Sequence, residues 1–140
     1  MKERILIPLD VNSRAKALHL VQSLDGLTGM FKIGMQLYMA EGPALVREIV
    51  EMGQKVFLDL KFHDIPNTVR HTVVEAARLG VSMMTVHASG GRAMLEALIQ
   101  DLQKEFGSKK PLVVAVTVLT SLDERGIREL GIADAAAENP

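Results

Sequence analysis

The sequence of 140 residues lacks cysteine and contains few aromatic residues. Without cysteine the chain forms neither disulfides nor cysteine-ligated zinc sites, which fits the reducing environment of the cytoplasm. Aromatic residues make up 4% of the sequence, which is too few for the stacking platforms that bind single-stranded nucleic acid. The formal net charge is −1, so the overall charge does not indicate a polyanionic partner such as nucleic acid either.

Long apolar runs are also absent from the sequence. No run approaches the length of a membrane span, and the first residues lack the apolar core of a signal peptide. We therefore expect a cytoplasmic protein that does not contact a membrane. Apolar residues at 48% and charged residues at 24% are typical of an ordinary globular protein. The length suits a single domain over residues 1–140.

The sequence does contain a regular alternation of short apolar runs and amphipathic segments, which predicts alternating strands and helices. The predicted strands are residues 4–9, 30–34, 55–60, 81–86 and 112–118. The predicted helices are residues 14–24, from about 43 to 53, 66–80, 92–106 and 123–130. On the fourth helix we expect five apolar side chains to face inward, namely Met94, Leu95, Leu98, Ile99 and Leu102. Strands that are apolar almost throughout are typical of a parallel sheet covered by helices.

Two α/β architectures have this order of elements. One is an open doubly wound sheet, and the other is the first part of a (β/α)8 barrel, which normally needs about 250 residues. A nucleotide-binding open sheet usually has a glycine-rich turn after its first strand. Here that turn is Asp10-Val11-Asn12-Ser13, without glycine. The sequence therefore favours the TIM barrel class, as an incomplete barrel of five parallel βα units.

Polar side chains lie at or near the C-terminal end of every predicted strand. They are Asp10, Lys32, Asp59 with Lys61, His87 and Thr120. Both architectures place their active sites at this edge of the sheet. The edge is therefore the candidate functional site.

The densest group of charges follows the third strand, in the stretch Asp59-Leu60-Lys61-Phe62-His63-Asp64-Ile65-Pro66-Asn67-Thr68. Alternate side chains of an extended chain share a face, so we expect Asp59 and Lys61 to lie side by side. Asp64 lies beyond this pair, on a turn before Pro66, where a helix can begin. Charges next to a buried strand are costly unless they pair. The alternative to a functional site is that these charges form a surface ion pair at the end of the strand.

This stretch resembles the signature of the orotidine 5'-phosphate decarboxylase family. The pattern D-x-K-x-x-D alone is shared with a wider superfamily, which includes a sugar-phosphate decarboxylase that uses magnesium. The continuation Ile65-Pro66-Asn67-Thr68 points to the orotidylate enzyme. Four more segments lie where the family has its strand ends, namely residues 9–10, 31–34, 86–91 and 116–121. The resemblance covers essentially the whole chain.

The resemblance implies a homodimeric (β/α)8 carboxy-lyase of de novo pyrimidine biosynthesis, which removes CO2 from orotidine 5'-phosphate to give UMP without metal or organic cofactor. It implies that Lys61 donates a proton to C6 of the pyrimidine and that Asp59 lies against the substrate carboxylate. Losing CO2 leaves a carbanion at C6, which a cation aimed at that carbon stabilises and then protonates. Flanking carboxylates favour the charged form of Lys61.

The resemblance also implies roles for residues around this pair. Asp64 reaches across the dimer interface into the partner's site, with Ile65 and Thr68 beside it. Asp10 and Lys32 hold the ribose hydroxyls, and Lys32 also belongs to the catalytic charge network.

Further along the chain, the resemblance implies that Thr120 or Ser121 contacts the pyrimidine or the loop of the site. We expect His87 to be a structural, hydrogen-bonded residue. The remaining histidines, His19, His63 and His71, form no convincing metal-ligand pattern, so no metal site is predicted.

The predicted elements make up five strand–helix units, whereas a barrel has eight. By resemblance, an arginine that grips the substrate phosphate belongs to the other three. We therefore expect a fragment, a truncated chain or one piece of a split enzyme, with a non-catalytic half-barrel as the alternative to a decarboxylase. Because remote phosphate binding normally lowers the barrier at the reacting centre, we expect the 140-residue chain alone to be at best very weakly active.

Overall fold

The computed structural model describes residues 2–132, which contain one five-stranded parallel sheet. The strands are β1 (Leu6–Pro8), β2 (Met30–Gly34), β3 (Val56–Phe62), β4 (Met83–His87) and β5 (Leu112–Val116). They lie side by side in the order in which they follow one another in the sequence. This sequential order is that of a (β/α)8 barrel and differs from the reversing order of a doubly wound sheet. Within the described residues, β1 and β5 form the two edges of the sheet.

Helices connect the strands, as the alternation in the sequence predicts. They are α1 (Arg14–Ser23), α2 (Met35–Glu51), α3 (Pro66–Arg78), α4 (Gly91–Phe106) and α5 (Glu124–Glu129). Short 3-10 turns occupy Lys2–Arg4, Ala88–Gly90 and Gly107–Lys109. Pro66 stands at the first position of α3, where its missing N–H costs nothing and its fixed φ suits the helix. None of the helices in residues 2–132 has the length and apolar character needed to cross a membrane.

The second helix differs from its prediction, because it begins at Met35, directly after β2, and not near Pro43. Residues 35–41 form a helical segment of their own, and Gly42, with φ 68° and ψ −169°, kinks the chain before Pro43 restarts the helix. The proline marks the start of the second segment only. The first segment consists largely of good helix formers, but no side chain caps its N-terminus, so its start left no signal in the sequence.

The core lies between one face of the sheet and the helices. Alternate residues of the central strands are fully buried on this face, namely Phe31, Ile33, Val56, Leu58, Met84 and Val86. The opposite face of the same strands carries Lys32, Asp59 and Thr85. The alternation of the strands therefore separates the core from the face that carries these polar residues, on which Phe57 and Met83 also lie.

The buried face of α4 is narrower than its apolar residues predict. Met94, Leu98 and Leu102 are fully buried, and their spacing of four residues places them on one stripe of the helix. Leu95 is partly buried, but Ile99 is 41% exposed. The prediction that Ile99 faces inward is therefore wrong. Each residue of a helix is rotated by about 100° from the one before, so Ile99, directly after Leu98, points away from the stripe.

This difference predicts unequal effects of truncation on stability. We expect Leu98→Ala to lower the free energy of unfolding by about 2–5 kcal/mol, because it opens a cavity in a closed part of the core. The matched variant Ile99→Ala should lower it by much less, because part of that side chain is already in water. Urea unfolding of the 140-residue chain, followed by circular dichroism, measures both. Equal losses in the two variants would contradict this account of α4.

Candidate active site

The C-terminal ends of the first three strands gather four charged residues around one cavity of about 270 Å³. These residues are Asp10, Lys32, Asp59 and Lys61, and we call them the charge cluster. Asp10 follows β1, Lys32 belongs to β2, and Asp59 and Lys61 belong to β3. Parallel strands end at the same edge of a sheet, so residues far apart in the sequence meet here.

Opposite charges alternate through the charge cluster. The Lys61 Nζ donates a hydrogen bond of 2.8 Å to Asp59 Oδ1. The Lys32 Nζ lies 3.9 Å from Asp59 Oδ2 and 3.6 Å from Asp10 Oδ1. The side chain of Asp59 is 14% exposed, whereas that of Asp10 is 72% exposed. Asp59 is therefore the enclosed carboxylate that both lysines share, and Asp10 lies at the mouth of the cavity.

The environment of Asp59 stabilises its ionised form. Burial pushes the pKa of its carboxyl upward, but hydrogen bonds from Lys61 and Thr85 and the charges of Lys61 and Lys32 outweigh that effect. The net result is a pKa below the ordinary value of 3.8. At neutral pH the cavity therefore contains a carboxylate anion between two lysines.

A bulge in β3 produces this arrangement. Leu58 pairs with Met84 and Phe62 with Val86, so three residues of β3 (59 to 61) lie opposite the single residue 85 of β4. Lys61 has a φ of 52°, and within residues 2–132 no other residue except glycine has a positive φ. The predicted contact between Asp59 and Lys61 is confirmed. However, the backbone at Lys61 is not regularly extended, and the bulge helps to determine the direction of the lysine side chain.

Thr85 is part of the site, although it does not belong to the predicted site residues. Its hydroxyl donates a hydrogen bond of 2.9 Å to Asp59 Oδ1 and accepts one of 2.9 Å from the Lys61 backbone N–H. The side chain is buried, with 3% of its surface exposed. A threonine within an apolar strand is indistinguishable by pattern from a β-branched core residue, so no signal in the sequence revealed it.

Three predicted site residues lie outside the charge cluster: Asp64 and Ile65 in the loop after β3, and Thr68 in the first turn of α3. Asp64, Ile65 and Thr68 are all exposed. The Asp64 Oδ1 accepts a hydrogen bond of 2.6 Å from the backbone N–H of Ile65. Within the part of the chain that the structure describes, Asp64 forms no ion pair with Lys32 or Lys61. These residues therefore lie on the surface of the chain, outside the charge cluster.

The other predicted residues also lie outside the charge cluster. Thr120 and Ser121 are exposed in a turn after β5 and do not line the cavity. The ring of His87 lies against that of His63, with the ring centroids 5.2 Å apart. That His87 is a structural, hydrogen-bonded residue stays a prediction. In residues 2–132, no three histidine, cysteine, aspartate or glutamate side chains are grouped so that they could hold a metal ion.

Comparison with known proteins assigns the family. The model of the Orotidine 5'-phosphate decarboxylase / HUMPS family matches residues 3–139. Orotidine 5'-phosphate decarboxylase from Moorella thermoacetica is 47% identical over 135 residues, which cover 94% of this chain and 54% of that protein. The enzyme of the same name from Geobacter sulfurreducens is 47% identical over 132 residues, covering 94% and 55%.

A solved structure has the same fold. The crystal structure of orotidine 5'-phosphate decarboxylase from Lactobacillus acidophilus matches with a TM-score of 0.81 and 32% identity, over 93% of this chain and 59% of that one. The chain thus spans about half the length of the curated relatives that it matches. The five strand–helix units of this chain correspond to part of the barrel of these relatives. The family match over residues 3–139, with relatives 47% identical, shows that the chain belongs to the orotidine 5'-phosphate decarboxylase / HUMPS family.

Proposed function

We propose that the protein acts as an orotidine 5'-phosphate decarboxylase, a carboxy-lyase that converts orotidine 5'-phosphate to UMP in de novo pyrimidine biosynthesis. The observation that carries the proposal is the alternating charge cluster of Asp10, Lys32, Asp59 and Lys61 around one cavity. Relatives of that name are 47% identical to this chain, which supports the same chemistry here. We further propose a cytoplasmic location, in keeping with a sequence without cysteine.

Lys61 supplies the electrophilic part of the mechanism. Departure of CO2 leaves an electron pair on C6 of the pyrimidine, and the ammonium group of Lys61 stabilises this charge as it develops. The same group then transfers a proton to C6, which completes UMP. Its hydrogen bond to Asp59 holds the ammonium group at the cavity before substrate binds, so little reorganisation is needed during the reaction.

The rest of the site consists of Asp59, Lys32 and Asp10. Ionised Asp59 faces the substrate carboxylate, and the repulsion between the two anions is relieved as CO2 leaves. Lys32, between Asp59 and Asp10, offsets the negative charge of both. With Asp10 at the open mouth of the cavity, Lys32 also holds the ribose hydroxyls. The reaction requires no metal or organic cofactor, because the lysine stabilises the carbanion.

We propose a homodimer in which Asp64 reaches the site of the partner subunit. The exposure of Asp64, Ile65 and Thr68, which follow Lys61 closely in the sequence, supports this assignment. Ile65 is 66% exposed, so its side chain is available for contact with a second subunit. Thr120 and Ser121 are proposed as substrate contacts from the family resemblance alone.

Replacement of Lys61 tests the proposed mechanism. Joining this chain to the part of the Moorella relative that its match leaves uncovered gives a protein of full family length. We expect this chimera to consume orotidine 5'-phosphate, followed by the loss of its absorbance. Lys61→Ala should slow the reaction by at least about 100-fold to 10,000-fold, because both the general acid and the stabilising cation are lost.

Lys104→Ala is the matched control, because Lys104 is an exposed lysine of α4 away from the cavity. It should leave the rate unchanged, as should the addition of EDTA. Equal activity of the Lys61→Ala chimera and the parent would contradict the mechanism. A folded chimera that has an intact charge cluster but consumes no orotidine 5'-phosphate would contradict the proposed function.

The ionisation of Asp59 predicts a pH dependence of stability. Its pKa is lowered in the folded state, so the stabilisation that it provides is fully present above its unfolded value of about 3.8 and is lost as the pH falls toward the folded pKa. Asp59→Asn resembles the protonated form and lacks this dependence. The difference in free energy of unfolding between parent and variant should therefore be constant near neutral pH and shrink in acid. A difference that is independent of pH down to about pH 2 would refute the lowered pKa.

A further inference from the structure

Two polar side chains are buried in residues 2–132, those of Thr28 and Thr85. The Thr28 hydroxyl contacts backbone groups, donating to the carbonyl oxygen of Ile5 and accepting from the N–H of Met30. The Thr85 hydroxyl instead lies between two parts of the charge cluster. The two buried threonines therefore differ in their partners, which are backbone groups near strand ends for Thr28 and the charge cluster for Thr85.

The hydrogen bonds of Thr85 have only one possible direction. The Lys61 backbone N–H can only donate, and an ionised Asp59 carboxylate can only accept. The single hydroxyl proton of Thr85 must therefore point at Asp59, while its oxygen accepts from Lys61. With the bond from Lys61 Nζ to the same Asp59 oxygen, a closed ring of three hydrogen bonds results.

The bulge in β3 explains why a side chain is needed at this point. Three residues of β3 lie opposite residue 85, so the regular backbone ladder between β3 and β4 is interrupted there. A buried backbone N–H without an acceptor is costly. The hydroxyl of Thr85 accepts the hydrogen bond of the Lys61 N–H at the residue that adopts the left-handed conformation.

We propose that Thr85 is a positioning residue that holds the Lys61 backbone in its left-handed conformation and directs one oxygen of Asp59 toward the Lys61 ammonium group. Its role in decarboxylation rests on the proposed function. Thr85 itself does not line the cavity, and it acts on the reaction through the two residues that do. A residue at this position without a hydroxyl leaves both the N–H and the carboxylate oxygen without this partner.

The test compares three variants of the 140-residue chain. Thr85→Val removes the hydroxyl but keeps the shape of the side chain, and Thr85→Ser keeps the hydroxyl but removes the methyl group. Thr28→Val is the matched control, because it removes the other buried threonine hydroxyl. Two NMR measurements read the site directly: the carboxyl carbon shift of Asp59 as a function of pH, and the hydrogen exchange rate of the Lys61 amide.

We expect Thr85→Val to raise the pKa of Asp59, because a hydrogen bond that favours its ionised form is lost. The same variant should speed exchange of the Lys61 amide. Thr85→Ser should resemble the parent in both measurements, and Thr28→Val should change neither. An unchanged Asp59 titration and Lys61 exchange in Thr85→Val would overturn the proposal. If Thr85→Val does not fold, Thr85→Ser decides: parent-like values support the proposal, and a raised pKa of Asp59 overturns it.

Kinetic measurements test whether Thr85 affects the reaction. They use the chimera described above, provided that it decarboxylates orotidine 5'-phosphate. Thr85→Val should lower kcat by about 10-fold to 100-fold with little change in KM, because misplacing a catalytic group affects the chemical step. Thr85→Ser should restore kcat. An unchanged kcat in Thr85→Val would overturn the link to catalysis. The two NMR measurements need no turnover, so a failure of the proposed function is distinguishable from a failure of this inference.

Discussion

The structure depends on one enclosed carboxylate and the groups that keep it ionised. Asp59 is 14% exposed and directly follows the fully buried Leu58. An anion in that position is costly unless it is paired and hydrogen-bonded. Lys61, Lys32 and Thr85 provide those partners from three neighbouring strands. Small changes in the register of these strands would therefore leave an uncompensated charge.

The order of the strands makes such a site possible. Because β2, β3 and β4 are adjacent and parallel, their C-terminal ends present side chains to one edge. The register pairs Gly34 with Asp59, and the Lys32 Nζ, from the same strand as Gly34, lies 3.9 Å from Asp59 Oδ2. The bulge in β3 then changes the direction of Lys61 locally, while the residues on the opposite face remain in the core. Stability and site geometry thus use opposite faces of the same strands.

Much of this arrangement could be predicted from the sequence, because apolar runs and strand-end charges follow from periodicity. The prediction of β2 matches residue for residue, and Pro66 marks the start of α3. The early start of α2, the exposure of Ile99 and the role of Thr85 were not predictable. No capping side chain marks the start of α2. The direction of the buried stripe on α4 depends on tertiary packing. The hydroxyl of Thr85 matters only because of the bulge in β3, which the sequence does not reveal. The motif around Asp59 and Lys61 indicated the family, but not Thr85, which contacts both residues.

We propose that the charge cluster surrounds the reacting carbon of a pyrimidine nucleotide, and a crystal structure with bound UMP is the decisive experiment. We expect the pyrimidine ring in the cavity, with C6 nearest to the Lys61 ammonium group and the ribose hydroxyls near Asp10 and Lys32. We also expect Asp64 of a second subunit at the same site. A nucleotide bound elsewhere on the chain, or bound in the cavity with C6 turned away from Lys61, would show that the charge cluster does not have this role.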